Sequence, residues 1–302
     1  MSITQSSLTQ SGASDGNPRA APDRPRGGRW SGGPVATVAA VAVLILISAA
    51  FLIPFVWMAS ASVRTQGDLL GHPMTLWPQQ FTFENYVNVW SRIPFGRQFL
   101  NTAIYAGVVA VVSVILDSMA GYAFARFTFP GRGVLFVVVL VTLMLPIQVT
   151  LIPVYQLLSD LGWINTLHGL IIPRMADAFG IFFMRQFFLS VPRDLEDAAR
   201  VDGFSEFGIW RRIMMPLAWP AVLTLGLFNL LYNWNDLLWP LVVTTDERMR
   251  TLPAGLALFK GQHSAEYGLL MAGAMLALLP MVAAFLLVQR RFIEGIATTG
   301  LK

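Results

Sequence analysis

Six long stretches of this chain carry almost no charge, and they restrict its possible folds more than any other feature. The first runs from Pro34 to Met58 without a single ionisable side chain. As a helix rising ~1.5 Å per residue it would reach about 37 Å, enough to cross a hydrocarbon layer of ~30 Å. It is also longer than the ~7–15-residue apolar core of a secretory signal. Five further stretches follow at 99–123, 134–155, 166–188, 217–241 and 269–288, so nearly half of the chain is of this kind. In lipid every backbone polar group needs an internal partner, which helices supply. A transmembrane β-barrel would need apolar and polar residues to alternate, and these runs are continuous. The expected fold class is therefore all-α transmembrane, a six-helix bundle.

The rest of the organisation follows from what lies between the runs. Residues 1–33 are rich in Ser, Gly, Pro and Arg. They hold too little apolar surface to offset ordering entropy, and a disordered tail is expected. Residues 34–58 are read as the first transmembrane helix, 59–98 as an external loop and 99–302 as the membrane core. Of the 21 Lys and Arg residues, thirteen fall on the side that carries both termini, six fall opposite, and Arg174 and Arg185 lie within the fourth run. This bias places both termini in the cytoplasm and the long loop 189–216 with them.

Several chemistries are excluded. There is no cysteine, hence no disulfide, thiolate metal site or cysteine nucleophile. His72, His168 and His263 are isolated and lack metal-ligand spacing. The two lysines, Lys260 and Lys302, do not follow glycine, so the chain has no phosphate-cradling Gly-Lys-Ser/Thr loop. Nothing resembles a nucleophile with its base and orienting acid. With 55% hydrophobic and 13% charged residues, a soluble enzyme is excluded as well. The dispersed basic residues offer no face for nucleic acid. The chain is read as a non-enzyme without a cofactor of its own.

The loop 189–216 is the most informative segment. Ser190 can cap a helix whose first turn tolerates Pro192, and Asp194 and Glu196 suit its positive end. Leu195, Ala198 and Ala199 then share one face. Gly203 is expected to break this helix and start a second one carrying Phe207, Trp210 and Ile213. Small residues framed by charge suit docking into a groove on a cytosolic partner, and an amphipathic helix lying on lipid has the same periodicity.

Within this loop, Asp197-Ala198-Ala199, three residues, Gly203, nine residues, then Ile213 to Pro216 resembles the EAA motif of bacterial ABC importer permeases. The family form is Glu-Ala-Ala-x3-Gly-x9-Ile-x-Leu-Pro; Asp197 stands in place of Glu and Met215 in place of Leu. Tyr232-Asn233-Trp234-Asn235-Asp236-Leu237-Leu238-Trp239-Pro240-Leu241 is similar to the Trp-Asn-Asp-x-x-Trp-Pro signature of the carbohydrate-importing, maltose-type subclass. Asn85-Tyr86, Thr251-Leu252-Pro253 and Gly268 to Ala274 fit the same pattern, as do Gln289 to Phe292 and Gly300-Leu301-Lys302.

The resemblance implies a permease subunit of the bacterial inner membrane that imports a sugar or polyol. It implies a second permease subunit, two ATPase subunits carrying ATP and Mg, and an external solute-binding protein. It makes Glu196, Asp197, Ala198, Ala199, Gly203, Ile213 and Pro216 the residues that couple to the ATPases. Other readings are a different cargo, such as glycerol phosphate, and an ion-coupled transporter working alone.

Charges at bilayer depth cost about 2.5–3.5 kcal/mol each on insertion scales, so their placement is informative. Arg174 and Asp177 are three apart and can pair on one helix face. Arg185 is read as snorkelling and Asp117 as bonding to another helix. Asn229, Asn233 and Asp236 form one stripe on the fifth helix, with Trp234 and Trp239 nearby and Pro240 ending or kinking the helix. Such groups can bond sugar hydroxyls and cover C–H faces, or tie helices together. They are the expected lining of the translocation pathway.

Overall fold

The computed structural model describes residues 34–260 and 266–299. The expected tail 1–33, His263 and the final Gly300-Leu301-Lys302 lie outside them. The chain divides at Leu52/Ile53 into two compact units. The first holds the start of α1 (Pro34–Ser62), and the second holds the end of α1 and everything that follows. Among the described residues the structure is helical, with one isolated bridge between Arg64 and Phe81 and no strand.

Among the described residues, four helical segments are long and apolar enough to cross a membrane, and up to six spans result if each of two bent pairs counts as one. Helix α1 starts with the first run and continues four residues past it; the short α2 (Gln66–Gly71) and α3 (Glu84–Arg92) follow, and α4 (Phe95–Arg126) extends beyond the second run at both ends. The third run is two helices, α5 (Arg132–Met144) and α6 (Ile147–Asp160), meeting at 102°. Pro146 lacks an N–H and pushes Leu145 into extended backbone, which breaks the helix there. The fourth run starts with α7 (Leu167–Ile171) and continues through a tight 3-10 turn to α8 (Ala178–Ser190).

The fifth run ends early. Helix α12 (Trp219–Trp234) stops at Asn235, and a separate short α13 spans Leu238–Val243. Asn235 bonds the Leu231 carbonyl through its side chain, and Asp236 accepts the Trp239 N–H. The stop therefore lies six residues before its expected place near Pro240, which sits inside α13. The last span belongs to α15 (Tyr267–Thr299).

Helix α4 is the axis of the second unit, packed along α8 and α12. Its contact with α8 is close because both helices present glycine. A Cβ on Gly121 would lie 2.9 Å from Met184 Cβ, and one on Gly180 would collide with the Asp117 carboxylate. At one end of α4, Gln98 and Asn101 bond the carbonyls of Glu247, Arg248 and Arg250, and Thr102 accepts the Leu252 N–H. At the other end, Tyr122 and Ala125 join a core with Phe188, Ile209, Trp210 and Met214. The loop 189–216 and the loop 244–252 thus lie at opposite ends of this one helix.

The segment after α1 is tied by a charge. Arg64, fully buried, donates to both Asp68 carboxylate oxygens and to the carbonyls of His72 and Thr75. The Asp68 carboxylate also accepts the Gln79 and Gln80 N–H groups. The Arg64 guanidinium holds the Asp68 carboxyl well below the usual carboxylate range. Because its folded pKa lies below its unfolded value of ~3.9, this group stabilises the segment above that pH, and the contribution fades as pH falls through the lower folded value. Residues 63–82 should therefore resist pepsin at pH 4 and yield only on further acidification; cleavage there already at pH 4 would contradict this assignment.

Candidate functional site

Two places gather the residues singled out from the sequence, one at each half of α4. The first is the loop between α8 and α12. Ser190 does not cap its helix: its hydroxyl bonds the Phe187 carbonyl, and α8 ends there. Val191, forced extended by Pro192, separates it from α9 (Asp194–Val201), which begins after Arg193.

The expected shared face of Leu195, Ala198 and Ala199 is split. Leu195 and Ala198 point outward with Asp197 and Val201, whereas Ala199 and Glu196 are buried. Glu196 forms a buried ion pair with Arg126 of α4 at 2.5 Å and is approached by Arg200 and by the Tyr122 hydroxyl. Arg200 bridges outward to Asp197 at 2.6 Å and to Glu206 at 2.7 Å. The Glu206 bond raises the Arg200 pKa further, so this clamp stays charged. The exposed carboxylate of the motif is that of Asp197, paired with Arg200.

Gly203 has φ +81°, a left-handed conformation that side chains other than glycine resist. Its N–H bonds the Arg200 carbonyl and the Phe204 N–H bonds the Ala199 carbonyl, the two bonds of a Schellman cap. The chain then turns into α10 (Glu206–Ile209), a π-helical turn Trp210–Met214 and α11 (Met215–Leu217), and bends by 82° into α12. Phe207 faces out, Trp210 is buried and Ile213 packs on the same core; Pro216 is exposed just before the bend. Beside Gly203 opens a surface recess of about 530 Å³, bounded by Phe207, Arg211 and Arg212.

The second place is a cavity of about 440 Å³ between α8 and α12, adjoined by another of about 510 Å³ reaching Thr142 and Thr150. Asn229 and Asn233 line it with Tyr232, Arg174, Asp177 and Phe228. Arg174 does not pair with Asp177, because Asp177 starts α8 in extended backbone after a break. Its partner is Asp236, at 3.2 Å, and its guanidinium also lies near the rings of Tyr232 and Trp239. The Tyr105 hydroxyl donates to the same Asp236 oxygen.

Trp234 and Trp239 are buried, with their indole N–H groups bonded to the carbonyls of Ala277 and Leu170. Trp239 edges the second cavity; Trp234 packs on Phe99, apart from both linings. Arg185 turns over the Phe136 ring at 4.1 Å and bonds the Phe124 carbonyl. Tyr232, given no pathway role from the sequence, is exposed into the first cavity, and its spacing of three from Asn229 puts it on the same face. The Arg174–Asp236 pair spans 62 residues and leaves no local trace. Among the described residues no three metal-ligating side chains come together.

Residues 117–297 match the family described as binding-protein-dependent transport system inner membrane component. The arabinooligosaccharides transport system permease protein AraQ of Halalkalibacterium halodurans is 35% identical over 252 residues, covering 82% of this chain and 90% of that protein. The sn-glycerol-3-phosphate transport system permease protein UgpE of Brucella abortus is 34% identical over 268 residues, covering 86% and 94%. The fold is similar to a chain of a bacterial ABC transporter involved in the import of the acidic polysaccharide alginate, with a TM-score of 0.73, 23% identity and coverage of 85% and 96%.

Proposed function

The chain belongs to the binding-protein-dependent transport system inner membrane components, and from this premise we propose that it is the permease subunit through which a neutral sugar or polyol enters a bacterial cell. It is a multi-pass transport subunit and not an ATPase. In the proposed assembly it pairs with a second permease subunit. An external solute-binding protein delivers cargo, and two ATPase subunits dock on the loop 189–216. Each bent pair then counts as one span, giving six, with both termini in the cytoplasm. The placement of that loop and of the 244–252 loop at opposite ends of α4 supports this topology.

The single observation that carries the cargo reading is the pairing of Arg174. The relatives include permeases named for a neutral oligosaccharide and for an anionic phosphate ester. An anion needs an unmatched cation in its path, yet Arg174 is held by Asp236, and Asp177 adds a second carboxylate to the lining. Amides and aromatic faces remain to meet hydroxyls and C–H surfaces.

The complex purified from its native membranes should contain a second permease and two ATPase chains, and loaded binding protein should stimulate ATP hydrolysis. In uptake by whole cells, neutral oligosaccharides should compete with the transported sugar and glycerol 3-phosphate should not. Transport by the chain alone, driven by an ion gradient in vesicles, would refute the assignment, and competition by glycerol 3-phosphate alone would transfer it to the anionic cargo.

A further inference from the structure

Asp117 is fully buried on α4, and among the described residues its partners are a hydroxyl and a backbone N–H, with no cation paired to it. Its Oδ1 accepts the backbone N–H of Asp177 at 3.0 Å, and its Oδ2 accepts the Ser113 hydroxyl at 2.6 Å. The Ser113 oxygen in turn accepts the Asn229 amide at 2.9 Å, and Asn233 donates to the Asn229 carbonyl at 2.8 Å. The carboxylate therefore holds both walls of the cavity: the first turn of α8, which carries Asp177 and Phe179, and the face of α12 that carries Asn229 and Asn233. It occupies the N-terminal end of α8, where N–H groups lack helical partners and negative charge is favoured. Gly180 leaves the room, since any Cβ there would overlap the carboxylate.

We propose that Asp117 is a positioning residue that fixes the spacing of the two cavity walls without itself touching cargo. Buried charge is costly at this depth, and a polar network of this kind rigidifies when every member is satisfied. The inference rests on the cavity being the water-filled pathway, so the test separates the two ideas.

The chain has no cysteine, so single substitutions report one place each. Phe179→Cys and Phe228→Cys put thiols on the two walls, and Met74→Cys puts one on the exposed segment after α1, away from the ATPase-docking loop, as a control. Each is combined with Asp117→Ala, Asp117→Asn or Gly180→Ala in the full complex, in native membranes. The reagent is a hydrophilic methanethiosulfonate.

With Asp117→Ala and with Gly180→Ala, reaction rates at both wall positions should change by about threefold or more, as expected for neighbours in one hydrogen-bond network, while Met74→Cys stays constant. Asp117→Asn, which keeps the acceptor for the Asp177 N–H, should remain within about twofold of the parent. Should Asp117→Ala fail to accumulate, Gly180→Ala decides by the same criteria. Wall thiols that react in the parent but ignore both changes would overturn the positioning role. A change shared by Met74→Cys would do the same, by showing general distortion. Wall thiols that never react would instead overturn the cavity reading itself.

Discussion

Gly203→Val is expected to abolish most substrate-stimulated ATP hydrolysis while leaving the subunit in the membrane at its normal level. The reason lies in the backbone. No atom stands within 4 Å of where a Cβ on Gly203 would be, so no clash is created. The cost is wholly conformational, because φ is +81° and a β-branched residue resists that region. Strain of about 1–3 kcal/mol is typical of such positions. At ~1.4 kcal/mol per factor of ten, the middle of that range would populate the observed loop about 30-fold less.

The strain falls on the cap that sets α9 against α10 and frames the recess beside Phe207. The core below is built instead by Ile209, Met214 and their neighbours, away from the strained residue. Gly203→Asn is the control, since asparagine tolerates the left-handed region better, and it should keep most of the stimulated activity. Measurement of basal and stimulated ATPase rates in the purified complex checks both; full stimulation in Gly203→Val would remove this joint from the coupling path.

How much of this was legible in the sequence depends on how local each cause is. The charge-free runs announce spans because lipid enforces hydrophobicity along the whole length of each one. Gly203 was legible because few residue types suit its left-handed backbone and glycine suits it best. The break at Leu145-Pro146 was present as a proline inside an apolar run, but hydropathy alone carries the run across it. Charge pairing was the hardest part. Arg174 has a carboxylate three residues away and uses another one 62 residues away, because the chain breaks between Arg174 and Asp177 before helical spacing can act. In the motif itself, a step of one residue on a helix is a rotation of ~100°. That rotation turns Glu196 into the core and leaves Asp197 outside, a distinction visible only once α4 supplies Arg126.

That inward turn makes Arg126→Ala the most damaging single change expected near the loop. It would strand Glu196 in a site where both partners are at most 3% exposed, leaving only the longer approaches of Arg200 at 3.5 Å and Tyr122 at 3.4 Å. Removing one partner of a buried pair costs about 3–5 kcal/mol, a large part of a typical folding free energy. The lost bond from Arg126 to the Val191 carbonyl, at 2.7 Å, adds to this. The variant should melt well below the parent in detergent and accumulate poorly.

Replacing both partners with apolar residues of similar length, Arg126→Met with Glu196→Met, removes the stranded charge and should recover most of the lost stability. Uptake should recover with it, because what α9 needs from α4 is a rigid seat, and Ala199, Phe204 and Tyr122 still provide one. Asp197→Ala should behave in the opposite way, with normal melting and impaired stimulation of the ATPase, since its side chain is 66% exposed and anchors nothing in the core. If instead the double variant melts as low as Arg126→Ala, the pair is not an isolated charge problem, and α9 is seated by the arginine's other contacts.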